Sequence, residues 1–179
     1  MAFGAPLAAG MPAERELADL VLGARVPVAA LRDRLSTGLP AGWQLVDAYD
    51  VWLGEPSLVS QVVAAEYQVT VESADPDGLA LAAVALLRAG SLPREREKGG
   101  GTVAYDLRPL VDSVSVDTNA GPGPDEGRVT LRVRTRMHPE LGTGRPEEVV
   151  AALGDELGRE LVVRSIARAR LILVGETGV

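Results

Sequence analysis

The sequence predicts an α+β protein built from antiparallel sheets with helices on one face, and three observations carry that reading. Several segments alternate apolar and polar residues with period two, which marks strands buried on one face and wet on the other. Three others repeat apolar residues at helical spacing between residues that start and stop helices. Over residues 65–174 the two kinds follow one another as strand, helix, hairpin, strand, strand, helix, strand. With the hairpin set aside this is β-α-β-β-α-β, the ferredoxin-like pattern.

The elements justify themselves in chain order. A short strand is expected at Ala2–Leu7 and another at Glu16–Leu22. The helix that follows runs from Pro27 to Gly38, with Val28, Leu31 and Leu35 inward. Trp43–Trp52 reads as a strand. Residues 16–52 thus repeat the last half of the pattern, so that 1–52 read as a ferredoxin-like unit incomplete at its N-terminus, and 53–64 are the linker to the complete unit at 65–174. In that unit Tyr67, Val69 and Val71 alternate with Glu66, Gln68, Thr70 and Glu72. A helix starts at Pro76 with Asp75 as cap and stops before Gly90, and it is apolar almost all round, which predicts deep burial. Residues 92–105 form an inserted hairpin with Lys98-Gly99-Gly100-Gly101 at its tip. Val114 and Val116 alternate with Ser113, Ser115 and Asp117, and a turn-rich connection, Asn119–Gly127, leads to Val129, Leu131 and Val133 alternating with arginines. Pro146–Gly158 is a helix with Glu147 and Glu148 in its first turn, where the dipole favours them. The last strand alternates Val163, Ala167, Ala169 and Leu171 with Arg164, Ile166, Arg168 and Arg170.

Composition excludes several classes of chemistry. The 179 residues contain no cysteine, which removes disulfides, thiolate metal sites and cysteine nucleophiles. His138 is the only histidine, so a multi-histidine metal site is ruled out. The net charge of −7 argues against general DNA binding and against an anionic membrane surface. No apolar run reaches the roughly 18–20 residues of a membrane span. These features predict a cytoplasmic protein. Lys98 is the only lysine, against 17 arginines, and the isoleucines are Ile166 and Ile172 alone, a bias expected of a GC-rich genome.

The charge is uneven: residues 1–90 carry 5 basic and 11 acidic side chains, residues 91–179 carry 13 and 14. In ferredoxin-like order the open face of the sheet sets Arg132, Arg134 and Arg136, with Arg164, Arg168 and Arg170, on either side of Glu66 and Glu72. Six arginines against two glutamates make an incompletely paired basic face, a candidate surface for phosphate or an acidic partner. Cross-strand salt bridging that keeps the sheet soluble is the alternative. Aromatic stacking of bases is weakly supported, because the whole chain holds six aromatics. Arg94, Arg96 and Lys98 on the hairpin read either as a basic finger or as a solvated, locally neutral ribbon. The hairpin glycines lack the residues of a P-loop. Asp106-Leu107-Arg108-Pro109 reads as a turn, with Asp106 capping it and Arg108 a further basic candidate. His138 reads as a loop residue, and Asp47 and Asp50 face opposite sides of their strand. Trp43, Tyr49 and Trp52 read as apolar anchors. No acid, base, nucleophile or metal set assembles, so the chain is expected to be no enzyme and to need no cofactor.

Gly42-Trp43, Gly54-Glu55-Pro56-Ser57-Leu58, Ala64-Ala65-Glu66-Tyr67 and, above all, Leu92-Pro93-Arg94-Glu95-Arg96 with Asp106-Leu107-Arg108-Pro109-Leu110 resemble a bacterial family. That family is the radical-SAM-linked domain of unknown function, found beside radical SAM proteins or fused to their C-terminus. The resemblance spans nearly the whole chain and includes no active-site signature. It implies a radical SAM protein as partner, and a non-catalytic accessory role in which RNA or another substrate is presented to that enzyme. A protein–protein docking module without any nucleic-acid role is the second reading. The cluster of such an enzyme needs a Cys-rich run that this chain lacks. The family also carries a first strand and helix upstream of what is Met1 here, so residues 1–52 are expected to be poorly stabilised alone.

Overall fold

The computed structural model describes residues 1–98, 100–117 and 127–176. The 118–126 connection and the Lys98 side chain lie outside the described residues. Among them the chain order is β1 (Ala2–Phe3), β2 (Ala18–Asp19), α1 (Val28–Gly38), α2 (Leu58–Gln61), β3 (Val62–Glu72), α3 (Pro76–Arg88), β4 (Pro93–Lys98) and β5 (Gly101–Asp106). A 3-10 turn at Arg108–Leu110 then leads to β6 (Val111–Val116), β7 (Arg128–His138), β8 (Gly142–Thr143), α4 (Pro146–Leu157) and β9 (Val163–Leu173).

The protein is α+β with antiparallel sheets. The main sheet has the order β6-β7-β3-β9, and every pairing in it is antiparallel. Helix α3 connects β3 to the far edge strand β6, and α4 connects β7 to the other edge strand β9. Both helices bury one face in a common core with the sheet: Leu79 and Leu86 from α3, Val149 and Leu153 from α4, Val69, Val71, Leu131 and Val133 from the central strands. The local signals for the helices act as expected. Asp75 Oδ1 accepts the Gly78 N–H at 2.8 Å, capping α3. Gly158 takes φ +64 after α4, a left-handed stop that favours glycine. Gly144 lies where a Cβ would come 2.7 Å from the Leu110 carbonyl oxygen, so the entry to α4 is set tightly on the 3-10 turn.

Four expectations need correction. Strand Glu16–Leu22 shrinks to Ala18–Asp19, paired with Ala2–Phe3, and Trp43–Trp52 forms no strand. A strand needs a neighbour to take its backbone groups, and no described strand lies beside 43–52. The supposed linker begins β3 early, at Val62, preceded by α2 with Leu58 buried. Helix α3 is apolar all round but not buried all round: Leu81 and Val84 are exposed, because the sheet and α4 cover one side only.

Candidate functional site

Period two along β7 puts Arg132, Arg134 and Arg136 on the face of the sheet opposite the helices, while Val129, Leu131, Val133 and Thr135 point into the core. Register sets Arg134 beside Glu66 on β3 and Ser113 on β6. On this face the predicted arginines do come together, and they come together with carboxylates. Arg134 reaches Glu66 at 3.1 Å and Asp112 at 3.7 Å. Asp112 also accepts two bonds from Arg136, at 2.6 and 2.9 Å. Arg132 pairs with Asp117 at 3.2 Å, Arg164 with Glu72, and Arg170 with Glu66 at 3.6 Å. Most of these guanidinium groups are about half exposed, so each such pair contributes roughly 0.2–1 kcal/mol. Their collective effect is electrostatic: four carboxylates offset five of the six arginines expected there.

The sixth, Arg168, is somewhere else. A bulge places one residue of β3 against two of β9, with Glu66 opposite Arg170 and Tyr67 opposite Arg168, so that Ala169 is the extra residue. The period is broken, and Arg168 turns to the core side, where it is 1% exposed. Its guanidinium donates to Glu16 through Nε at 2.7 Å and Nη2 at 2.5 Å, to the Pro6 carbonyl at 2.8 Å and to the Ala5 carbonyl at 3.2 Å. Its backbone bonds Pro12 and Glu14 at 2.9 Å each. Arg168 therefore clasps residues 5–16 onto the edge of the sheet. Burial alone would lower its pKa, but the Glu16 hydrogen bond and charge outweigh that and raise it. Burial likewise raises the neighbouring Tyr67 phenol, partly offset by Arg168.

The hairpin is held rather than free along its base. Arg94 pairs with Asp155 of α4 at 2.7 Å. Tyr105 donates its hydroxyl to Glu148, and the Arg96 guanidinium lies 4.8 Å from the Tyr105 ring centroid. Burial first, and then the Glu148 bond, raise the Tyr105 pKa. Arg108 is structural: it donates to the Leu87 carbonyl at 3.1 and 2.7 Å and to the Val111 carbonyl at 2.9 Å, satisfying the open end of α3. Asp106 accepts the N–H groups of Leu92 at 2.7 Å and Arg108 at 2.9 Å. The Leu92 bond is the main reason its pKa is lowered. His138 Nδ1 accepts the N–H groups of Glu140 and Leu141, at 3.2 Å each. No cluster of His, Asp or Glu that could hold a metal ion occurs among the described residues, and no helix among them is long and apolar enough to cross a membrane.

The sequence reading missed a second surface altogether. Trp43, Tyr49 and Trp52 anchor nothing: all three are exposed, Trp52 at 75%. Val21, Val46 and Leu53 are exposed with them, Leu53 at 94%, and α1 has no buried residue. The Arg32–Asp47 pair at 2.6 Å and the Arg32 bond to the Ala48 carbonyl at 2.8 Å tie α1 to the following segment without covering either. Large apolar side chains concentrated in an uncovered region mark an interaction surface. The signal was available in the sequence as aromatics and aliphatics gathered in a stretch with no complete sheet to receive them.

A family described as an uncharacterized protein conserved in bacteria (DUF2344) matches residues 1–142, and the chain belongs to that family. No curated protein matches the chain.

Proposed function

We propose that this member of the uncharacterized bacterial family is a non-catalytic, cytoplasmic accessory domain that docks on a radical SAM protein. In this reading β3–β9 form a ferredoxin-like unit that serves as a rigid base, and the uncovered stretch from Val21 to Leu53 makes the contact. The single observation that carries the proposal is the exposure of Trp43, Tyr49, Trp52 and Leu53 together. Burying such side chains on a partner releases about 25 cal/mol per Å² of apolar surface, and aromatic residues dominate interface cores. The identity of the partner comes from the family resemblance.

The RNA-presenting alternative rests on the arginine face. That face is supported less well, because Glu66, Glu72, Asp112 and Asp117 already pair with its arginines. Phosphate would have to compete with each carboxylate.

The test is gel filtration of the purified chain with the radical SAM protein of its own host, both treated with ribonuclease. Co-elution is expected, and it should be lost in Trp52→Asp/Leu53→Asp. Binding of single-stranded RNA in the absence of the partner, abolished by Arg132→Glu/Arg134→Glu, would replace docking with the RNA reading.

A further inference from the structure

Helix α3 buries Leu79, Ala82, Ala83 and Leu86. Its outer side is uncovered: Leu81 is 72% exposed and Val84 45%, and Ala80 and Ala85 are exposed on either side of them. Asp77 and Arg88, one in the first turn and one in the last, flank this strip. Asp77, Leu81, Val84 and Arg88 follow the alternating four- and three-residue spacing of a helix–helix seam, so all four fall on one narrow stripe. Both end charges are exposed, and among the described residues neither side chain makes an ion pair or hydrogen bond.

The stripe is palindromic. Measured from the point between Ala82 and Ala83, Leu81 and Val84 are equally far on either side, Ala80 and Ala85 likewise, and Asp77 and Arg88 likewise. We propose that it is a self-association surface whose occupant is the same stripe of a second copy, packed antiparallel about a two-fold axis through that midpoint. The two-fold sets Asp77 of one copy against Arg88 of the other, twice, and Leu81 against Val84, twice. The alanines let the axes approach to the usual 8–10 Å or so. Antiparallel packing also opposes the helix dipoles favourably, whereas parallel packing would set Asp77 on Asp77. One helix pair falls well short of the roughly 1,200 Å² of a stable interface, so the dimer is reversible and forms at high concentration. The surface shares no residue with the proposed docking region and does not depend on it.

Sedimentation equilibrium on the full chain tests this, with an expected monomer–dimer Kd between about 10 μM and 1 mM. Asp77→Arg alone and Arg88→Asp alone each place like charges at both contact points and should weaken the dimer about tenfold. The double variant Asp77→Arg/Arg88→Asp should return it to within about threefold of the parent. Because the chain has no cysteine, Leu81→Cys and Val84→Cys read the orientation without altering charge. A mixture of the two should cross-link faster than either alone. A monomer throughout that concentration range, a dimer indifferent to the charge changes, or faster cross-linking within either single variant than in the mixture would overturn the proposal.

Discussion

Leu131 and Leu53 are the same side chain in opposite circumstances. Leu131, in the middle of β7, is fully buried under α3 and α4, while Leu53 stands almost wholly in water. The contrast extends to their regions. Between Val62 and Leu173, apolar residues fill one side of a four-strand path and arginines on the other side meet carboxylates. Between Val21 and Leu53, a helix with no buried residue is followed by aromatics that cover nothing. Apart from the outer stripe of α3, the first region satisfies most of its apolar and charged groups internally, and so its sheet has little left to offer a partner. The second has apolar surface to offer and little of its own structure to lose.

The largest expected effect lies at the clasp joining the N-terminal residues to the sheet. Arg168→Met leaves the Glu16 carboxylate without its cation and should cost about 3–5 kcal/mol in urea unfolding. Replacing both groups, Arg168→Met with Glu16→Leu, should recover much of that loss. The comparison is sharpest in paired truncations: Leu131→Ala should cost about 2–5 kcal/mol, and Leu53→Ala within about 0.5 kcal/mol. Equal costs would break the contrast. Asp75→Ala removes the α3 cap and should cost about 1 kcal/mol in thermal unfolding. A double-mutant cycle on Arg136 and Asp112 should return a coupling of about 0.2–1 kcal/mol.

Acid gives a further test of the ordered region. Asp106 has a lowered pKa in the folded chain, so it binds fewer protons there than when unfolded. Its contribution is complete above the ordinary carboxylate value of about 4 and is lost as pH falls through the lowered one. Asp106→Asn should therefore destabilise the protein at neutral pH and flatten the fall in stability at acid pH, measured by urea titration across that range.

Much of the ordered region was legible in the sequence. Helices α3 and α4 announce themselves by Pro76, Asp75 and Pro146 at their starts and Gly158 at a stop, and the arginines of β7 follow from period two. What failed was whatever depended on distant partners. Arg168 changes sides because of a bulge at Ala169, and Asp112 joins the arginine face because of a register shift between Val111 and Ser113. Neither irregularity leaves a mark in local sequence. The hairpin docks through Asp155 and Glu148, far along the chain from Arg94 and Tyr105. Segment 43–52 carries strand-like residues but lacks a neighbour, and strand propensity is expressed only where a sheet receives it.

Hydrogen exchange followed by mass spectrometry tests the contrast most directly. In the free chain, the amides of α1 should exchange orders of magnitude faster than those of β3 and β7. Adding the proposed radical SAM partner should slow exchange between Val21 and Leu53 and leave β7 unchanged. Amides of α1 as slow as those of β3 in the free chain, or partner protection confined to the arginine face, would contradict the account.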